Sequence, residues 1–270
     1  MTPESARRFF ERRGEEVREF AESSGHAIRL LLGALSRIPQ ARRRKRSVIE
    51  QMAVGSVRVL HVLVLVGAFS GMILSLQTGL ELARFGQQEQ IGTIVAIATV
   101  REMGPFITGV TLAATAGSAL AAELGTMAVS EELLALEVLS IDTVAFLAMP
   151  RVLALALIAP VLTLFVNFLG IIGGGLVARA QLEVSFALYW QTAIDSLRGT
   201  AETLPLPKDL YVGLFKAVVF GLTIAAVACS CGMRAHGGAK GVGDATRRSV
   251  RNSFILIIVF GYFITSLFYR

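Results

Sequence analysis

From Val59 to Leu76 the chain runs for 18 residues with His61 as the one ionisable side chain. An α-helix rises about 1.5 Å per residue, so such a run matches the roughly 30 Å hydrocarbon core of a bilayer. Comparable runs extend from Ile91 to Ala122, Val152 to Val177, Tyr211 to Met233, and from beyond Asp244 to Phe268. Inside hydrocarbon every backbone N–H and C=O must find a partner within its own segment, which leaves helices for runs of this length. The pattern predicts an all-α integral membrane protein with about five transmembrane helices. Composition agrees: 54% of the 270 residues are hydrophobic and 17% charged, too little polar surface to wet a soluble domain of that size.

The formal net charge is +6, and residues 1–46 account for it with 12 Lys/Arg against 6 Asp/Glu, while the other 224 residues hold 14 of each. An arginine-rich arm that runs into an apolar span points to anionic headgroups on the cytoplasmic surface rather than to nucleic acid. Over residues 4–38, Phe10, Val17, Phe20, Ile28, Leu31, Leu35 and Ile38 recur at helical spacing among charged residues. That is an amphipathic helix, suited to the headgroup plane or to a partner protein. Pro39 is expected to end it, and Arg42, Arg43, Arg44, Lys45 and Arg46 to hold this end in the cytoplasm. A cleavable signal peptide is not expected, since the first 56 residues lack a continuous apolar run. The chain divides into an interfacial arm, 1–46, and a membrane domain, 47–270. Cys229 and Cys231 point apart on a helix and read as apolar filler.

Within span one, Gly67 and Gly71 form a GxxxG pair that admits a close neighbour, and a polar stretch, Gln77 to Gln90, is expected to follow the span. Span two is too long for one straight crossing and is interrupted by Arg101-Glu102-Met103-Gly104-Pro105. Proline removes a backbone donor and disfavours helix at the residue before it, which predicts a kinked or discontinuous helix. Residues 123–150 read as a cytoplasmic amphipathic element rather than a span, with Ser130 capping a short helix whose first turn holds two acids. Residues 179–210 read as an external segment, with Tyr189 and Trp190 at the interface. Asp244 is expected to cap span five after the glycine-rich turn Gly237 to Gly243. Five crossings from a cytoplasmic N-terminus place Arg270 outside.

No GxxxxGK[ST] phosphate loop is present, and His26, His61 and His236 are scattered, so the sequence predicts neither a nucleotide site, a metal site nor an enzyme. The informative polar residues are ionisable groups at membrane depth. Arg101 and Glu102 either contact a polar headgroup or staple the kink to itself. Lys216, in span four, meets a phosphate or snorkels outward, and Gln77 carries the same two readings more weakly. The segment from Gly125 to Glu137 reads as a docking surface rather than a helix resting on lipid, because anionic headgroups would repel its acids.

At these residues the chain resembles the MlaE/YrbE permeases of MCE-type lipid ABC transporters. The resemblance rests on Val100-Arg101-Glu102-Met103-Gly104-Pro105, Ala121-Ala122-Glu123-Leu124-Gly125-Thr126-Met127, Ala135-Leu136-Glu137-Val138, Pro150-Arg151, Gly213-Leu214-Phe215-Lys216 and Gly237 to Thr246, in order over residues 47–270. It implies a permease subunit of an ATP-driven phospholipid transporter that maintains outer-membrane lipid asymmetry. It further implies two permease copies around a lipid pocket, ATPase subunits (MlaF-like) that hold ATP and magnesium, a STAS-domain subunit (MlaB-like) and an external hexamer of MCE proteins (MlaD-like). No cofactor is implied in this chain. The implied location is the bacterial inner membrane, with a cytoplasmic N-terminus and a periplasmic C-terminus. Carried over, the lipid-binding residues are Arg101, Glu102, Lys216, Gln77 and Leu74. The ATPase-coupling residues are Glu123, Gly125, Thr126, Met127, Glu131, Ala135, Leu136 and Glu137. One departure lies in that segment, where Glu131-Glu132-Leu133-Leu134 stands for the family's usual Glu-Gln-(Ile/Leu)-Asp. The rival reading is a stand-alone secondary transporter with an ion or small anion at the broken helix; no internal inverted repeat supports it.

Overall fold

The structure, a computed structural model, describes residues 22, 24–41, 44–199 and 207–270, and among them there are helices, turns and no strands. Helix α1 (24–36) and a short α2 (Ile38–Ala41) precede α3 (Lys45–Arg84). Next come α4 (Ile91–Ala98), α5 (Gly104–Leu112), α6 (Ser118–Val129) and α7 (Glu132–Val138). The chain closes with α8 (Met149–Gln181), α9 (Phe186–Gly199), α10 (Lys208–Met233) and α11 (Gly238–Phe268). Five helical stretches are long and apolar enough to cross a membrane: Val59–Arg84, Gln88–Val129, Val144–Gln181, Lys208–Met233 and Gly238–Phe268. The molecule is a multi-pass membrane protein, and its all-α character is as the apolar runs predict.

Between lipid and protein there is no hydrophobic gradient to drive helices together, so close packing must do it. The α3–α8 contact shows how. A Cβ on Gly71 would lie 1.9 Å from the Gly170 carbonyl oxygen, so only glycine lets the two backbones meet there. Helix α10 is the central post, with 72% of its apolar stretch buried, against 28% for the first span and 17% for α11. Leu63, Leu112, Met149, Phe220, Ile224 and Ile257 form the main core around it. Leu65, Phe69 and Ile73 of α3 and Ile258, Phe263 and Leu267 of α11 point outward, as suits surfaces that face acyl chains or another subunit.

Several boundaries differ from the sequence reading. Span two is not discontinuous; it continues from Ile91 to Val129 through two wide π turns, Thr99–Met103 and Ala113–Gly117. A π turn takes in one residue more than an α turn and so absorbs Pro105 without a break. Residues 123–129 complete that span, and the polar stretch from Gln77 to Arg84 stays inside α3. Ser130 ends α6 rather than starting α7; Glu131, at φ 62°, precedes α7, and Ser130 Oγ donates to Glu132 Oε1 at 3.0 Å. Gly237, not Asp244, precedes α11, its φ of 86° being one that glycine adopts without strain. Tyr189 is no interface anchor: it is fully buried, and its hydroxyl donates to the Ile171 carbonyl at 3.0 Å.

Of the basic arm, residues 1–21 and 23 lie outside the described residues. The helix from 24 to 36 does not end at Pro39, which sits inside α2. Ala27, Leu30 and Ala34 of α1 are buried against α10 and its neighbours, while Ile28 and Leu32 face outward. Two polar links fix it: His26 Nδ1 to Ser230 Oγ at 2.9 Å, and Arg37 to Asp142 at 2.6 Å.

Candidate functional site

The π turn at Thr99–Met103 gathers the ionisable residues. Pro105 has no N–H to give to the carbonyl of Arg101, four residues earlier. Lys216 Nζ fills that role, donating to the Arg101 carbonyl at 3.1 Å. It can do so because α10 comes very close: a Cβ on Gly213 would stand 2.2 Å from the Val100 carbonyl oxygen. Lys216, three residues further on, lies on the same face of α10. Its ammonium also donates to Glu102 Oε1 at 2.6 Å and to Thr265 Oγ1 of α11 at 2.7 Å. All three donors of this buried cation are thereby engaged.

Arg101 points to a second carboxylate. Its Nε donates to Asp209 Oδ1 at 2.8 Å, and its guanidinium lies 4.0 Å from the centre of the Tyr269 ring. The Tyr269 hydroxyl donates to the same oxygen of Asp209. Asp209 is fully buried, and its Oδ2 has no hydrogen-bond partner among the described residues. Two cations and two anions thus balance where α10 and α11 meet the π turn. Taking its partner from Lys216 or from Asp209, the two fully buried members, would leave a charge uncompensated in a medium that solvates it poorly.

Beside this cluster an open groove of about 520 Å³ runs between span two, α10 and α11. Glu102 and Lys216 line its polar end, and Phe106, Phe220, Ile257 and Ile258 its apolar depth. A wider space of about 850 Å³ opens beyond it, bounded by Tyr262, Thr265, Ser266, Tyr269 and Arg270. The arrangement can take an amphiphile, charged at one end and apolar along its length.

Of the residues singled out from the sequence, Arg101, Glu102 and Lys216 come together. Gln77 is exposed on α3, and Leu74 packs against the cluster of Ile91, Val95 and Tyr189; neither lines the groove within this chain. Asp209, Thr265 and Tyr269 were missed. Asp209 was not singled out, although its distance of seven residues from Lys216 puts both on one face, two turns apart.

The expected coupling residues lie at the opposite end. Glu123 is half-exposed and pairs with buried Arg151 at 2.6 Å. Gly125 packs against Ala235 and Val242, and Thr126 Oγ1 donates to the Ala122 carbonyl. Met127 and Leu136 are partly buried with Leu133, while Glu131, Ala135 and Glu137 face outward with Leu134 and Val138.

Residues 48–267 match the family model described as Permease MlaE. A probable ABC transporter permease protein of Rickettsia conorii is 35% identical over 257 residues, covering 95% of this chain and 96% of that one. The intermembrane phospholipid transport system permease protein MlaE of Haemophilus influenzae is 31% identical over 256 residues, 95% of each chain. The chloroplast protein trigalactosyldiacylglycerol 1 of Arabidopsis thaliana is 35% identical over 225 residues, 83% of this chain and 62% of its own.

Proposed function

The chain belongs to the MlaE permease family, and from that membership we propose that it is the membrane-spanning subunit of an ATP-driven phospholipid transporter. The observation that carries this reading is the pairing of buried Lys216 with half-exposed Glu102 at the polar end of an apolar groove. A headgroup phosphate meets Lys216 or Arg101 through charge-assisted hydrogen bonds, and acyl chains run along Phe106, Phe220 and Ile258. A phosphate that draws Lys216 or Arg101 toward it releases Glu102 or Asp209, so binding and local rearrangement are linked.

Two copies pair in this proposal through the outward apolar faces of α11 and α3, which brings Leu74 and Gln77 of one copy toward the groove of the other. Helix α7 and the end of α6 receive the ATPase, which holds ATP and magnesium; closure of that partner pushes on Glu131–Leu136 and reshapes the groove. A STAS-domain subunit stands with the ATPase and an MCE ring at the far face. The assembly sits in the bacterial inner membrane with the arm in the cytoplasm and Arg270 in the periplasm.

The test is lipid retention and transfer. Complexes carrying Lys216→Met or Arg101→Gln, isolated with the ATPase, are extracted and their phospholipid quantified, then assayed for ATP-dependent transfer between vesicles. Loss of bound lipid and of transfer is the expected result. Normal retention and transfer in both variants would remove these residues from the mechanism. Transfer that needs an ion gradient and no ATPase would favour a secondary transporter.

A further inference from the structure

Asn167 is the one amide or charged side chain between Arg151 and Arg179, and it lies near the middle of α8. It is 4% exposed, and neither its Oδ1 nor its Nδ2 has a hydrogen-bond partner among the described residues. An amide buried at membrane depth without a partner is costly, and membrane helices ordinarily use such a group to bond across to a neighbour. A second group of this kind stands opposite. Thr99, 3% exposed, opens the first π turn, and its Oγ1 also lacks a partner among the described residues.

The two meet across a close backbone approach. A Cβ on Gly104 would stand 1.7 Å from Asn167 Oδ1 and 3.1 Å from the Thr99 carbonyl oxygen. A Cβ on Gly170, three residues along α8 from Asn167, would meet Thr99 Cγ2 at 3.1 Å. The far side of α8 is fixed, because Gly170 is locked against Gly71 of α3. On the other flank of the turn, Lys216 holds the Arg101 carbonyl and Glu102, and Arg101 holds Asp209. The turn therefore sits between a flank on α10 whose donors are engaged and a flank on α8 whose polar groups are idle.

The turn also has a second way to close. The Gly104 N–H goes to the Thr99 carbonyl, five residues back, and Pro105 has none to give, so the Val100 carbonyl receives nothing from the turn that follows. Moving the surplus residue one turn toward α4 would pass the Gly104 N–H to Val100 and that of Met103 to Thr99, both in α geometry. Residues 99–103 would then rotate by about 100°, the angle of one residue in an α-helix. That rotation carries Arg101 and Glu102 away from Asp209 and Lys216.

We propose that the π turn at Thr99–Met103 is a two-position switch and that Asn167 is the positioning residue for its second position, its amide bonded there to Thr99. In the first position the charges at the polar end of the groove pair with one another. In the second they leave those pairs, and the hydrogen bonds gained on α8 offset those lost on α10. The proposal rests on the transporter reading only for what drives the switch, the ATPase.

The test reads Met103, which lies in the turn and lines the groove. Permease carrying carbon-13 methyl methionine is assembled with unlabelled ATPase in nanodiscs, and the Met103 methyl signal is assigned by its loss in Met103→Leu. Wild type is expected to show two Met103 signals whose ratio changes between the nucleotide-free and the vanadate-trapped complex. Asn167→Leu, close in volume, should reduce the second signal about tenfold, the effect of losing one buried hydrogen bond in that position, and slow ATP-dependent lipid transfer by a similar factor. Its unfolding temperature should hold or rise, because the amide it removes has no partner in the first position. Thr99→Val should act as Asn167→Leu does, and Thr99→Ser, which keeps the hydroxyl, should behave as wild type. A single Met103 signal in wild type under both conditions, or an unchanged ratio in Asn167→Leu, would overturn the proposal. A lower unfolding temperature in Asn167→Leu would show the amide to be bonded in the first position and overturn it too. Two signals in a complex that neither responds to nucleotide nor moves phospholipid would count against the transporter reading and leave the switch standing.

Discussion

Removing the carboxylate of Glu102 and removing the ammonium of Lys216 break the same ion pair, yet the two substitutions should differ sharply in cost. The side chain of Lys216 is 1% exposed and that of Glu102 46%. Glu102→Ala therefore strands a cation that water cannot reach, held only by the Arg101 carbonyl and the Thr265 hydroxyl. Stranded buried charges cost about 3–5 kcal/mol, and the two remaining acceptors put this one at the low end, about 3 kcal/mol. Lys216→Met leaves a carboxylate that the groove can hydrate, so its main cost is the orphaned Arg101 carbonyl, about 1 kcal/mol. The double variant removes both charges and should sit near Lys216→Met, not at the sum of the two. In thermal unfolding at fixed detergent and lipid, with roughly 2–4 °C per kcal/mol, Glu102→Ala should fall about 4–8 °C below Lys216→Met. Equal losses in the single variants, or additive losses in the double, would refute the assignment of Lys216 as the buried member of the pair.

Asp209→Asn should loosen both Arg101 and Tyr269 and cost roughly 1.5–3 kcal/mol, the value of a hydrogen bond to a charged group, read as a lowered unfolding temperature and reduced bound phospholipid. Gly67→Ala, whose Cβ meets Val166 at 3.4 Å, should be nearly silent, whereas Gly71→Ala, at 1.9 Å from the Gly170 carbonyl oxygen, should separate α3 from α8 and sharply reduce yield of folded protein. His26 has its pKa lowered from 6.5 by burial first and then by Arg234 and Arg29. A folded pKa below the unfolded one means the folded state resists protonation, so the docking of α1 on α10 is complete above about pH 6.5 and weakens as the pH falls through that value. Hydrogen exchange of α1 amides should accelerate on acidification, and His26→Gln should abolish that dependence.

Much of the membrane architecture is legible because hydrocarbon punishes every other arrangement of long apolar runs. The ionisable groups within spans were visible for the same reason, although their sequence positions did not show that Lys216 would turn inward to Glu102. What the chain did not reveal locally was the geometry joining them. Pro105 signalled a break, but whether a helix answers proline by ending or by widening depends on neighbours, here Gly213 and Lys216 on another helix. Asp209 and Tyr269 carry no local signal, each sitting at a helix end; the burial of Asp209 comes from the crossing of α10 with α11, a contact between distant segments. The cap at Ser130 failed for a different reason: the chain continues α6 as far as Val129, so the serine is consumed by the end of one helix before the next begins.

The wide turn at Ala113–Gly117 has an evolutionary consequence. A residue lost from an ordinary spanning helix rotates everything beyond it by about 100° and mismatches every contact on the far side. Loss of Ala114, exposed on that turn, would instead return the turn to α geometry and leave the register on either side in phase. Natural deletions in this crossing should accordingly collect at the surplus residue, where the lineage can shorten the helix without re-tailoring its neighbours.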